Sequence, residues 1–200
     1  FLVWSGARRL LLTGRRGAST KAQREAIGIL EKLDATIEVI PADITIPEDV
    51  ARILEAGGPT LRGIIHAAGV LDDGMLTQQT SDRFRLVAGP KVNGAWHLHQ
   101  QTLDHRLDFF VLFSSTSTAI TPLGQVDYVA ANSFLNAFAR KDRERGLHAT
   151  QAVNWGLWKD VGMAADNLSG ATASPEDAIP PSPSSYPLFN ERFTRPSGEI

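Results

Sequence analysis

The segment Asp108–Asn132, DFFVLFSSTSTAITPLGQVDYVAAN, carries the strongest structural signal in this chain. Its apolar run Phe109–Phe113 predicts a buried strand, and two serines follow, the second of which is Ser115. After a loop broken by proline and glycine, an alanine-rich run predicts a helix that carries Tyr128 and Asn132. Residues four apart share one helical face. A buried strand that ends in hydroxyls places them at the carboxyl edge of a sheet, where open α/β folds bind ligands.

The rest of the chain repeats this alternation of strand and helix. Strands are predicted at Arg9–Thr13, Thr36–Pro41, Leu61–His66 and His148–Asn154, and further helices at Ser19–Leu33, Glu48–Ala56 and Ser81–Leu103. The strands are continuously apolar rather than alternating, which is typical of parallel sheets covered on both faces. The predicted fold class is therefore α/β, with a doubly wound parallel sheet.

Composition excludes several classes of function. The 200 residues contain 42% hydrophobic and 21% charged residues, as in an ordinary globular domain. A net charge of -2 gives no electrostatic reason to expect nucleic acid or an anionic membrane as a partner. The longest apolar runs have the length of a strand, so neither a signal peptide nor a membrane span is predicted and a cytoplasmic location is the default.

The residues give little support for a metal site. The absence of cysteine excludes disulfides and thiolate ligands. The five histidines show no metal-ligand spacing beyond the pair His97 and His99, so they are expected at the surface or as capping residues.

Two arginines offer a candidate cofactor contact. Arg15 and Arg16 follow the first predicted strand, where the adenosine ribose of a dinucleotide would lie. A guanidinium fork at this position matches a 2′-phosphate and would favour NADPH. A solvated turn is the alternative interpretation.

Two further sites at the strand ends have open alternatives. Asp43 could contact an adenine edge or could cap the helix that begins near Pro47. The small residues Ala67, Ala68 and Gly69 would let the backbone pass close to a ligand, although tight packing of strand against loop would use the same residues.

Tyr128 is the candidate catalytic group. A free phenol has a pKa of about 10, and a nearby ammonium such as that of Lys91 would favour the phenolate. With Ser115 hydrogen-bonded to a substrate carbonyl, the phenol could protonate the alkoxide formed by hydride addition. Asn132 could hold a water or order the lysine. Taken singly, each of these residues fits an ordinary structural role, and only their joint spacing favours a site.

That spacing resembles a known family. Lys91, Ser115, Tyr128 and Asn132 match the active-site tetrad of short-chain dehydrogenase/reductases, in the arrangement of ketoreductase domains from modular polyketide synthases and animal-type fatty acid synthases. Ordinary members carry lysine four residues after the tyrosine, whereas here Asn132 stands there and the lysine lies in GPKVNG. The motifs TGRRG at 13–17, HAAGVLDD at 66–73, FSS at 113–115 and VNWGLW at 153–158 agree, and the resemblance covers roughly residues 1–165.

The resemblance implies a function. The expected reaction is NADPH-dependent reduction of a β-keto acyl chain held as a phosphopantetheine thioester on an acyl carrier protein, with other domains of the same synthase as partners. By resemblance, Tyr128 donates the proton, Ser115 orients the carbonyl, Lys91 tunes the phenol and Asn132 supports a proton relay. The triplet Leu71, Asp72 and Asp73 resembles the mark of B-type ketoreductases, which form the D-configured hydroxyl. Ketoreductases of the opposite stereochemical type carry a tryptophan before the catalytic tyrosine. That tryptophan is absent here, and Ile120 lies in the corresponding region.

The resemblance also implies departures from the family. Its first strand and glycine-rich turn should precede Phe1, so the predicted domain of residues 1–165 lacks both. This favours a fragment of a larger synthase that is inactive by itself. Residues 166–200 are rich in proline and serine and are expected to be a disordered tail. The alternatives are a free-standing reductase of a diffusible ketone and a catalytically dead remnant.

Overall fold

The computed structural model describes residues 1–156. These residues divide into two compact units, Phe1–Pro41 and Ala42–Gly156. The elements follow in the order β1 (Arg9–Gly14), α1 (Lys21–Glu31), β2 (Thr36–Pro41), α2 (Pro47–Gly57), β3 (Gly63–His66), α3 (Ser81–Gln101), β4 (Phe109–Ser115), α4 (Ser117–Ile120), α5 (Val126–Arg145) and β5 (Thr150–Trp155). No helix within residues 1–156 is long and apolar enough to cross a membrane.

The first unit consists of two parallel strands and the helix that connects them. The ladder between β1 and β2 runs from the pair Arg9 and Thr36 to the pair Gly14 and Pro41. A capping box begins α1, because Thr20 Oγ1 accepts from the Gln23 amide and the Gln23 side chain accepts from the Thr20 amide. The predicted helix is confirmed, with bounds two residues shorter at each end than the apolar spacing suggested.

The second unit contains a three-stranded parallel sheet in the order β3-β4-β5. The central strand β4 is the most buried, with Phe110, Val111 and Leu112 at 0–1% exposure. Helices α2, α3 and α5 supply the remaining core residues, which are Val50, Leu54, Ala95, Leu98, Leu135 and Ala139. This core fixes the carboxyl end of β4 and the helices α3 and α5, and these three elements carry the tetrad predicted from the sequence.

Several predicted element boundaries were wrong. Strand β5 begins at Thr150 rather than His148, and α3 ends at Gln101 rather than Leu103. Strand β3 begins at Gly63 rather than Leu61, because the Leu61 amide closes a 3₁₀ turn on Gly58 O at 3.2 Å. The loop after β4 contains a short helix, α4. The residue that follows it, Thr121, is the C-cap and lies in the left-handed region with φ of 41°.

The expectation of surface histidines was also wrong for three of the five. His66, His99 and His148 are 4–7% exposed. Burial lowers the pKa of His66 to about 4, and the charge of Lys91 acts in the same direction. A neutral imidazole can be buried at much lower cost than a charged one, which accounts for this position physically.

Candidate active site

Helix α5 presents Tyr128 and Asn132 one turn apart, as the sequence spacing predicts. Asn132 is fully buried, and its Nδ2 donates to Tyr128 O at 2.8 Å. Its own backbone oxygen accepts from Ser114 Oγ at 3.2 Å, which ties the helix to β4. The buried Asn132 Oδ1 accepts no hydrogen bond from the described residues. An amide oxygen is therefore available beside the phenol for a water or a ligand.

Ser115 ends β4 and is oriented by the start of α4. Its Oγ accepts a hydrogen bond from the Ser117 amide at 3.1 Å. A hydroxyl that accepts through its oxygen still has its proton to donate. Ser115 is therefore prepared to act as a hydrogen-bond donor toward a carbonyl oxygen.

Lys91 reaches the same region from α3. It is 2% exposed, and its Nζ donates to Phe113 O at 2.9 Å and lies 5.5 Å from the centroid of the Tyr128 ring. Gly94, one turn along α3, permits close packing, because a Cβ there would lie 2.9 Å from His66 Cε1. Burial lowers the pKa of the Lys91 ammonium to about 8.

The environment of Tyr128 favours the neutral phenol. Burial raises its pKa above the usual value, while hydrogen bonding from Asn132 and Ser115 opposes this shift and the charge of Asp73 adds to it. The net direction is upward, so the phenol holds its proton at neutral pH. Lys91, Ser115, Tyr128 and Asn132 thus converge on one small volume, with an ammonium, an alcohol, a phenol and a carboxamide.

The triplet Leu71, Asp72 and Asp73, which follows β3, contacts the loop that precedes Tyr128. Arg83 holds Asp72 through a two-point ion pair, at 2.6 Å from Nε and 3.0 Å from Nη2. This pairing lowers the pKa of the Asp72 carboxyl. Asp73 accepts from Gln125 Nε2 at 3.0 Å, and the Gly74 amide donates to Gly124 O at 2.8 Å. The triplet and the adjoining Gly74 therefore lie where they can fix the conformation of the loop that leads into α5.

The candidate cofactor residues lie at the ends of strands. Arg15 and Arg16 are exposed in the turn directly after β1, in the first unit. Ala67, Ala68 and Gly69 directly follow β3 in the second unit. Their contacts with a cofactor stay predictions.

The proposed helix cap at Asp43 was wrong. The N-cap of α2 is Ile46, which makes no side-chain capping bond. Instead Asp43 Oδ1 accepts from the amide and the hydroxyl of Thr45, at 2.9 and 2.7 Å. Asp43 therefore orders the turn before the helix, as aspartates commonly do two residues ahead of their partner. Its contact with an adenine edge stays a prediction.

Sequence reasoning did not find four supporting groups. These are the Phe113 carbonyl, Ser114, Arg83 and Gln125. Each of these groups lies 11–52 residues away in the sequence from its hydrogen-bond partner, and nothing in local spacing indicates such pairs. The one available signal was the doubled serine at the end of β4.

Comparison with known proteins identifies the family. Residues 1–160 match the family model described as "KR domain". The chain belongs to the ketoreductase-domain family. Ketoreductase domains are oxidoreductases of the short-chain dehydrogenase/reductase superfamily and bind a nicotinamide cofactor. The match covers most of the predicted domain of residues 1–165, whereas the tail 166–200 lies outside the described residues.

Relatives of this ketoreductase domain are parts of long synthases. Polyketide synthase GfsA of Streptomyces halstedii is 40% identical over 169 residues, which cover 83% of this chain and 2% of that protein. The spectinabilin polyketide synthase system protein NorB of Streptomyces orinoci is 43% identical over 175 residues, covering 85% of this chain and 8% of that protein. The chain thus spans a small fraction of each relative.

Solved ketoreductase structures confirm the predicted fold class. An A1-type ketoreductase is 36% identical with a TM-score of 0.78, covering 82% of this chain and 35% of that chain. A-type ketoreductases from a modular polyketide synthase are 33% identical with a TM-score of 0.80, covering 90% and 39%. The doubly wound parallel sheet of Rossmann type is therefore established for this ketoreductase domain.

Proposed function

We propose that this ketoreductase domain reduces the β-keto group of an acyl thioester to a β-hydroxyacyl thioester, with NADPH as the hydride donor. The observation that carries the proposal is the convergence of Tyr128, Ser115, Lys91 and Asn132 at the carboxyl end of β4. In an open α/β sheet this edge is the ligand-binding edge. We infer further that the thioester is attached to the phosphopantetheine of an acyl carrier protein, since the relatives are polyketide synthases.

The residues present fit a nicotinamide cofactor. Lys91 is a buried ammonium with three N–H donors, and it uses one of them on Phe113 O. The others suit the hydroxyls of a ribose or a water. Arg15 and Arg16 are exposed cations after β1 and suit a 2′-phosphate, which supports NADPH rather than NADH. The bound cofactor would supply the hydride that adds to the carbonyl carbon.

The chain's own residues supply orientation and a proton. Ser115 donates a hydrogen bond from its hydroxyl to the carbonyl oxygen and fixes the direction of that oxygen. Tyr128 gives its phenolic proton to the same oxygen as negative charge develops there, which its raised pKa permits at neutral pH. The positive charge of Lys91 stabilises the phenolate that remains. A water held on Asn132 Oδ1 then relays a proton from solvent to the phenolate, and this oxygen accepts no hydrogen bond from the described residues.

The stereochemical outcome proposed is the D-configured hydroxyl, or B type. Support comes from the triplet Leu71, Asp72 and Asp73, in which Asp73 accepts a hydrogen bond from Gln125 in the loop before Tyr128. Two of the similar solved structures carry A-type in their names, and the type proposed here differs from theirs. The proposal of type therefore depends on the triplet alone.

The test is a Tyr128→Phe substitution in the full-length protein that carries this chain. We expect a fall in kcat of about 10²- to 10⁴-fold with a β-ketoacyl pantetheine thioester, because the general acid is lost. The thermal midpoint should not change. Tyr186→Phe, outside the family match, is the control. Undiminished turnover in Tyr128→Phe would refute the proton-donor role, and a higher kcat/KM for a diffusible ketone than for the thioester would refute the proposed substrate.

A further inference from the structure

Three buried ionisable side chains meet at a second place, separate from the proposed active site. His99 lies in the last turn of α3, Asp142 in the last turn of α5, and His148 just before β5. Their side chains are 6%, 1% and 1% exposed. His99 Nδ1 lies 3.2 Å from Asp142 Oδ1, and His148 Nδ1 lies 3.4 Å from Asp142 Oδ2.

Hydrogen bonding leaves this cluster unsatisfied. His99 Nδ1, His148 Nδ1 and Asp142 Oδ1 are all buried without a hydrogen-bond partner among the described residues. Asp142 Oδ2 does accept from the Thr150 hydroxyl. Buried polar atoms rarely lack partners, so three of them converging on one point require an explanation.

The tautomer of His148 makes the lack of a hydrogen-bond partner at its Nδ1 harder to explain. Its Nε2 lies 2.9 Å from Thr102 O, and a carbonyl can only accept, so Nε2 carries the proton. A neutral ring then directs a lone pair from Nδ1 toward a carboxylate oxygen 3.4 Å away. Two lone pairs repel at this distance. A cation between the ring and the carboxylate would remove this repulsion.

The geometry fits a bound metal ion. Zinc binds imidazole nitrogen at about 2.0–2.1 Å and carboxylate oxygen at about 2.0–2.2 Å, so neighbouring ligand atoms in a tetrahedral site lie roughly 3.3 Å apart. One ligand atom from each residue lies within 4.8 Å of the others, and the 3.2 Å between His99 Nδ1 and Asp142 Oδ1 agrees with this spacing.

The surroundings also suit a cation. The carboxyl-terminal ends of α3 and α5, whose last turns hold His99 and Asp142, carry partial negative charge. The rings of Phe138 and Phe110 pack against the two histidines, at 5.2 and 6.1 Å between centroids.

We propose that His99, Asp142 and His148 bind one Zn²⁺ ion, with water as the fourth ligand. Thr150, which donates to Asp142, is the outer-shell partner that orients the carboxylate. The ion joins the ends of α3 and α5 to the start of β5. Its role is structural, because it would hold together the two helices that carry Lys91 and Tyr128. The proposed metal site does not depend on the reaction proposed above.

The test is metal binding by the chelator-treated full chain. We expect one equivalent of Zn²⁺ to remain after dialysis and the thermal midpoint to rise on its addition. Co²⁺ in its place should show the intense visible absorption of a four-coordinate site. Asp142→Asn and His99→Gln should weaken Zn²⁺ binding at least as much as the roughly 10- to 100-fold that loss of an outer-shell partner costs. His97→Gln, on the same helix but outside the cluster, should bind like the wild type.

The measurement on the wild type tests the proposed Zn²⁺ site even if a variant fails to fold. Less than half an equivalent of Zn²⁺ after dialysis, or the weak spectrum of six-coordinate Co²⁺, would overturn the proposal. Equal binding by folded Asp142→Asn and the wild type would overturn it as well.

Discussion

Replacing Lys91 by methionine is expected to stabilise the fold while greatly slowing the proposed reduction. Lys91 is 2% exposed, and burial lowers the pKa of its ammonium to about 8. An ordinary lysine titrates near 10.4, and each tenfold change in a protonation constant corresponds to about 1.4 kcal/mol, so burying the charge costs about 3 kcal/mol relative to the neutral amine. Methionine removes that cost together with the hydrogen bond to Phe113 O, which contributes about 1 kcal/mol. The free energy of unfolding should therefore rise by about 2 kcal/mol at neutral pH.

The gain should depend on pH in a definite direction. Below about pH 8 the folded and unfolded states both hold the proton, and the wild type bears the full penalty. Between about pH 8 and 10.4 the folded state releases this proton while the unfolded state keeps it, so wild-type stability rises with pH. The methionine variant lacks this rise, and its advantage over the wild type should shrink as the pH increases.

Urea unfolding followed by circular dichroism measures this difference at about pH 7 and about pH 9.5. Lys141→Met is the matched control, because its side chain is 68% exposed and its ion pair with Glu144 is a surface one. We expect that control to change stability by less than about 1 kcal/mol at either pH. A Lys91→Met protein less stable than the wild type at pH 7, or with the same advantage at both pH values, would refute the reasoning.

The remaining predictions concern the cofactor, the product and the backbone. Arg15→Ala should lower the ratio of kcat/KM for NADPH over NADH by about tenfold or more, since a charge-assisted hydrogen bond is lost; an unchanged ratio would assign the 2′-phosphate contact elsewhere. Gln125→Ala removes the bond to Asp73 and should reduce the stereochemical purity of the hydroxyl product on chiral chromatography, whereas an unaltered product would exclude this loop from stereocontrol. Gly146→Ala should destabilise the chain by about 1 kcal/mol, because φ there is 66° and alanine is strained in the left-handed region. Gly28→Ala, inside α1 with open space around it, should instead stabilise by roughly 0.5–1 kcal/mol, and urea unfolding should show these opposite signs.

The parts of the fold that depend on local pattern were predictable from the sequence. The strand Thr36–Pro41 has the predicted bounds, and α2 begins at Pro47, since a β-branched run and an N-terminal proline act through their own residues. Apolar content did not predict burial equally well. In β1 four of six residues are exposed, including Leu12 at 37%, although its centre is the apolar run Leu10–Leu12. Burial depends on what packs against a strand, which its own residues do not encode.

The candidate site was predictable in its residue types and not in its supporting contacts. Tyr128 and Asn132 could be placed together because a helix has a fixed period. The bond from Lys91 to Phe113 O and the contact of Asp73 with Gln125 depend on how separate elements pack. The same limit explains why the histidines looked unrelated. His99 and His148 are 49 positions apart in the sequence, and only the packing of α3 and α5 brings them to one carboxylate.

The four candidate catalytic groups come from three non-adjacent segments, and this has a consequence for protein engineering. Lys91 arrives on α3, Ser115 on β4, and Tyr128 with Asn132 on α5. A chimera whose crossover falls between residues 102 and 108 would therefore draw its lysine from one parent and its phenol from the other. Such a hybrid retains every required residue type, yet its performance depends on whether two foreign helices pack at the native spacing. Swaps that transfer the whole of residues 81–145 as one block avoid this mismatch.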